Sequence, residues 1–144
     1  MEGLPVKSEI VRPAVIESLP ELLEWVHDQI RASELPVKIA RKFELALEEA
    51  IVNVIEHAYP EEPGAVVLKA NYFPEQKFEF VIEDQGIPFN PLNEIKVNQS
   101  DEQEIAIGGL GITFLKTFVD HAHYERLGNA NVLIVTKNLK NLSQ

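Results

Sequence analysis

The stretch Glu48-Glu49-Ala50-Ile51-Val52-Asn53-Val54-Ile55-Glu56-His57-Ala58-Tyr59 decides the fold, because two patterns run through it at once. Its apolar residues continue a stripe that starts at Phe43 and takes in Leu47, Ala50, Ile51, Val54 and Ala58, the three-and-four spacing of a long helix with one face in a core. Glu49, Asn53 and His57 advance by four and stack along one flank beside that stripe. Pro36 suits the first turn of this helix, where its missing amide has no intrahelical partner to lose. The breakers Tyr59-Pro60-Glu61-Glu62-Pro63-Gly64 end it.

Working outward, Ser18 with Glu21 predicts a capping box, followed by Leu22, Leu23, Trp25, Val26 and Ile30 at helical spacing to about Ser33. Trp25 reads as core and His27 as surface. Residues 7–13 read as an edge strand interrupted by Pro13. Residues 65–72 and 77–83 form an antiparallel hairpin around Phe73-Pro74-Glu75-Gln76. Periodicity is lost from Gln85 to Gly108, a length that points to a mobile cover. A third helix is expected from about Leu110 to Asp120, then a hairpin of 123–127 and 131–137 through Gly128-Asn129. The sum is a single α/β domain over 1–144, an α+β two-layer sandwich with a mixed, mostly antiparallel sheet and about three helices on one face.

Composition narrows the function classes. The chain has 144 residues, 45% hydrophobic and 25% charged, and no apolar run long enough to span a membrane. Its first residues lack a secretory signal, so the cytoplasm is the expected location. Thirteen Lys plus Arg against 23 Asp plus Glu give a formal charge of -10, which disfavours nucleic acid and anionic lipid; its plain reading is solubility alone, its sharper one a basic protein partner. With no cysteine, thiolate metal sites and cysteine nucleophiles are excluded.

Three spots carry chemistry. Glu49 is able to accept a proton, and the Asn53 carbonyl is a hard oxygen ligand suited to Mg²⁺. Asp84-Gln85-Gly86 closes an apolar strand, where a carboxylate can accept from an exocyclic amine and a glycine lets a planar ring approach. Adenine satisfies both. Gly108-Gly109-Leu110-Gly111 precedes the third helix, so unpaired amides and the positive end of a dipole face the loop, an environment for phosphate. Taken singly, each spot has a plainer reading: a solvated helix flank, an Asp-X-Gly turn, a hinge. Asp120-His121-Ala122-His123 would be a metal site only if a helix end and a strand start converged.

Taken together, their order resembles the Bergerat-type ATP-binding fold of gyrase, Hsp90, histidine kinases and MutL. More narrowly, residues 48–59, Asp-Gln-Gly-Ile-Pro-Phe-Asn-Pro at 84–91 and Gly-Gly-Leu-Gly-Ile at 108–112 look like the bacterial anti-sigma-factor serine/threonine kinases, over about residues 7–139. The resemblance implies an enzyme that uses ATP and Mg²⁺ to phosphorylate a small antagonist protein and so regulates a sigma factor, with a homodimer usual. It implies that Glu49 is the base toward the substrate serine, that Asn53 holds Mg²⁺, and that Asp84 takes the adenine amine. Gly86 then packs near the ring, and Gly108, Gly109, Leu110 and Gly111 border the phosphates beneath an ATP lid at about 85–109. Two departures stand out. Ile107 occupies a glycine position of the fuller loop, and Glu104-Ile105-Ala106-Ile107 supplies no arginine, with Lys116 the next cation, a turn or more into the helix. These leave open a nucleotide-gated binding module with little turnover, or an acidic interaction domain whose glycines are hinges.

Overall fold

The computed structural model describes residues 6–33, 35–93 and 115–140. The chain order is β1 (Val6–Pro13), α1 (Leu19–Arg31), α2 (Val37–His57), β2 (Ala65–Phe73), β3 (Lys77–Asp84), β4 (His121–Leu127) and β5 (Ala130–Asn138). Residues 115–118 are helical too, within the expected third helix. The strands form one sheet in the order β1-β2-β3-β5-β4. All four pairings are antiparallel, so the expected mostly antiparallel sheet has no parallel pair among the described residues.

Alternation along the strands sets one face against the helices. On β3, Phe78, Phe80 and Ile82 are buried, on β2 Val66, Leu68 and Ala70, and on β5 Leu133 and Val135. Pairings such as Phe80↔Val135 and Ile82↔Leu133 keep these side chains on one surface. Against it lies the α2 stripe of Phe43, Ala46, Leu47, Ala50, Ile51 and Val54, joined by Leu22, Val26 and Ile30 of α1. Phe43 meets Phe78 and Phe80 edge-on at centroid distances of 6.0 and 5.6 Å, and Trp25 meets Phe80 at 6.1 Å. Edge-to-face contact of this kind adds orientation to area burial.

Two local expectations are corrected. The Ser18 capping box does not form: Ser18 closes a 3-10 turn (Ile16–Ser18), takes helical backbone angles and makes no side-chain cap bond. Glu21 pairs with Arg12 of β1 instead. Pro36 sits one residue before α2, as its N-cap with ψ 145, and Ala40 N donates to its carbonyl at 2.8 Å. In the β4–β5 hairpin Gly128 has φ 62, the left-handed conformation that a side chain would resist.

Phe43 is fully buried at the helix–sheet contact. Phe43→Ala should cost about 3–5 kcal/mol in urea unfolding. A loss below about 1 kcal/mol would show that the ring does not anchor α2.

Candidate functional site

Asp84 ends β3 two residues beyond Ile82, in the register that points side chains at the helices. It is therefore a carboxylate on the core face, 6% exposed. An ion at such depth needs hydrogen bonds. Asp84 Oδ1 accepts from Gly86 N at 2.8 Å and from Asn131 Nδ2 at 2.9 Å. Among the described residues no hydrogen bond reaches Oδ2, which leaves one carboxylate oxygen as an unused acceptor.

Asn131, directly opposite Asp84 in the β3–β5 register and 5% exposed, is the hub of the network. Its Nδ2 donates to Asp84 and, at 2.7 Å, to Ile87 O. Its Oδ1 accepts from Tyr124 Oη, from Phe89 N at 3.3 Å and from Arg126 Nη1 at 3.2 Å. Arg126 Nη1 also donates to Gly86 O at 2.8 Å. Both ends of one amide are thus committed, so its orientation is fixed. Sequence reading passed over Asn131 and Arg126. The signal available was the inward alternation Asn131, Leu133, Val135, which sets an amide where the neighbouring strand sets a carboxylate.

These bonds also tie down the start of the expected cover. Ile87 N donates to Ala58 O at 2.9 Å, and a 3-10 turn follows at Pro91–Asn93. Gly86 has a structural reason of its own. A Cβ there would lie 2.0 Å from Ala58 O, so the end of α2 occupies the space a side chain would need.

Asn53 reaches the same place from α2. With Ala50, Val54, Ile82, Asp84, Phe89, Pro91, Tyr124, Asn131 and Leu133 it lines a hollow of about 20 Å³, room for roughly one water. Asn53 and Asp84 are thus brought together. His57 is not in the hollow: half-exposed, it stacks on Phe89 at a centroid distance of 5.2 Å. Glu49, one turn before Asn53, is half-buried. Its carboxyl pKa is raised, by burial first and then by the charges of Glu48 and Glu56. Gly108, Gly109, Leu110 and Gly111 lie outside the described residues, as does Ile107. Lys116 is exposed and lines a separate hollow with Leu92, Val119 and Asp120.

In Asp120-His121-Ala122-His123 the side chains diverge. Asp120 Oδ2 accepts from Asn138 N at 2.6 Å, and His123 pairs with Glu125 at 2.9 Å. No group of three potential ligands converges among the described residues.

Two outcomes follow from this geometry. Asn131→Ala removes the bonds to Asp84 Oδ1, Ile87 O and Tyr124 Oη, leaving buried Asp84 with its bond from Gly86 N, and should cost about 1–3 kcal/mol of unfolding free energy; Asn131→Ala matching wild type in thermal melts would refute the hub. For Glu49, a pKa raised on folding means that the folded state binds the proton more tightly. Stability therefore falls as pH rises from the ordinary carboxylate range through the raised value. Glu49→Gln removes that loss, so its melting temperature should gain on wild type between pH 4 and pH 7, and an unchanged difference would count against a desolvated Glu49.

Comparison with known proteins agrees with this layout. The histidine kinase-like ATPase domain matches residues 12–137. The chain is 26% identical to the serine-protein kinase RsbW of Halalkalibacterium halodurans, over 95% of this chain and 81% of that one. It is 28% identical to the anti-sigma F factor of Clostridium perfringens (strain SM101 / Type A), over 67% of this chain and 69% of that one. The anti-sigma F factor of Clostridium novyi (strain NT) is also 28% identical, over 67% and 69%. With an antiparallel sheet under one helix layer, and Asn53 and Asp84 facing a common hollow, the chain belongs to the histidine kinase-like ATPase domain family.

Proposed function

We propose that this protein is an anti-sigma-factor-type serine/threonine protein kinase of the cytoplasm, which binds Mg-ATP and phosphorylates a small antagonist protein, so regulating a sigma factor by partner switching. The observation that carries the reading is the meeting of Asn53 of α2 with Asp84 of β3 around one hollow. The names of the relatives, anti-sigma F factor and serine-protein kinase RsbW, support the regulatory context.

The donor set suits the nucleotide. Asp84 Oδ2, which takes no hydrogen bond from the described residues, is an acceptor for an exocyclic amine, and Val54, Ile82 and Leu133 supply apolar walls for a flat ring. At about 20 Å³ the hollow is far smaller than a purine, so Phe89 and Pro91 must shift for the ring to enter. Asn53 offers an amide oxygen to Mg²⁺, and the glycines at 108, 109 and 111 with Leu110 border the phosphates. Bound Mg-ATP supplies the phosphoryl group. Glu49 takes the proton of the substrate hydroxyl, a role its raised pKa favours because a base works best with a pKa nearer the operating pH. Phosphoryl transfer otherwise rests on positioning and charge neutralisation, which so small a set of groups can provide.

A second reading, a nucleotide-gated binding module with little turnover, is favoured by one feature: residues 104–107, Glu-Ile-Ala-Ile, carry no cation for the terminal phosphate. Radiolabel transfer from ATP to a purified candidate antagonist protein separates the two. Under the kinase reading, Glu49→Gln lowers transfer about a hundredfold or more while ATP affinity stays within about twofold. No transfer by wild type, with tight ATP binding, would leave the module. Asp84→Asn keeps an Oδ1 acceptor for Gly86 and Asn131 but turns an amide donor toward the purine amine. Calorimetric titration of that variant should show ATP affinity reduced about tenfold to a hundredfold, with the melting temperature of the free protein little changed. Undiminished ATP affinity would remove Asp84 from the purine site.

A further inference from the structure

Alpha-helix α2 has a second face, beside its core stripe, on which Val37 and Leu45 stay exposed while Ala40 is partly buried against the core. Val37, Ala40, Arg41, Glu44 and Leu45 recur at three and four residues on a face beside the end of α1. Val37 is 74% exposed and Leu45 39%. With His27, Ile30, Arg31 and Leu35 they line an open groove of about 710 Å³. An apolar helical stripe on the surface, facing an open groove, is the form taken by sites that receive an amphipathic helix.

The charges on this groove run against those of the whole chain. The protein carries -10, yet the groove is flanked by Arg31 and Arg41, both exposed and without an ion-pair partner among the described residues. Among its described lining residues the one carboxylate, Glu44, is already engaged by His27 Nδ1 at 3.0 Å. Lys38 adds a further exposed cation on the first turn of α2, whereas Lys42 is turned away over the Phe118 ring. An apolar floor between unpaired guanidinium groups complements apolar anchors flanked by carboxylates.

We propose that the α1–α2 groove docks an acidic, amphipathic helical segment of a partner protein. Its leucine-like anchors lie over Val37, Ala40 and Leu45, and its carboxylates meet Arg31 and Arg41. The groove lies about 18 Å along the α2 axis from Asn53, at ~1.5 Å per residue, so it is separate from the nucleotide hollow and does not rest on that reading.

A fluorescein-labelled helix-forming peptide of about 15 residues, with leucines at i, i+3 and i+7 flanked by glutamates, is titrated with the full chain and followed by anisotropy. Saturable binding is expected, weakened at least about tenfold by the double variant Arg31→Glu/Arg41→Glu and by Leu45→Glu. A peptide with lysines in place of the glutamates should prefer the double variant to wild type. Amide shifts should move at Ala40 and Leu45 and not at Asp84. Thermal melts confirm that the surface variants fold, and a Mg-ATP titration of the double variant, expected to match wild type, keeps the two sites' outcomes apart. Absence of saturable binding, indifference to charge reversal, or shifts confined to other faces would overturn the proposal. So would a wild-type dimer that Val37→Glu dissociates, because a second copy would then fill the groove.

Discussion

Where Phe43 packs edge-on against Phe78 and Phe80, the rotation of α2 on the sheet is set, and with it the direction in which every other residue of the helix points. Asn53 lies ten residues further along the same helix, close to three turns at 3.6 residues each, so it stays beside the buried stripe and comes to rest over the end of β3. Slippage of one residue would carry it about 100° round the axis, away from Asp84. The polar site is thus held in place by apolar packing, with no rigid loop required. Close-packed interiors transmit such constraints because they deform little.

Asp84 illustrates how a carboxylate can be kept on a core face. Among the described residues it has no ion-pair partner, and two neutral donors, an amide on the adjacent strand and the backbone two residues on, share one of its oxygens. Commitment of Oδ1 to the fold leaves Oδ2 for other use, so structural and chemical roles fall on different atoms of one side chain. Arg126 is kept one step away, bonded to Asn131 Oδ1 and to Gly86 O. That arrangement spreads its charge over the network without forming a closed salt bridge, which would take up the acceptor.

Much of this was legible in the residues, and the parts that were not share a cause. The α2 stripe, both hairpins, Glu49, Asn53 and Asp84 are read from spacings within a few residues, where helix and strand periods act directly. Asn131 was missed because its importance depends on β5 lying beside β3, a pairing between segments separated by residues 85–129 that no local pattern declares. Ser18 failed as a capping residue for a related reason: Arg12 of β1 draws Glu21 away, and a 3-10 turn gives Ser18 helical backbone angles. Gly86 looked like a concession to a ligand, yet the approach of Ala58 O already requires it. Tertiary contact decided each of these cases.

The insertion of β5 between β3 and β4 also bears on the order in which the protein matures on the ribosome. Synthesis adds about 5–20 residues per second, and α1, α2 and the β1-β2-β3 ribbon emerge well before the C-terminal hairpin. During that interval the inner edge of β3 has no neighbour, and Asp84 lacks the amide that later orients it. A nascent chain therefore presents an unpaired, aromatic-rich strand, the kind of edge on which other chains add. Zipping of the final ribbon closes that edge and completes the Asp84–Asn131 network in the same event, so a partly made copy lacks both protection and that network.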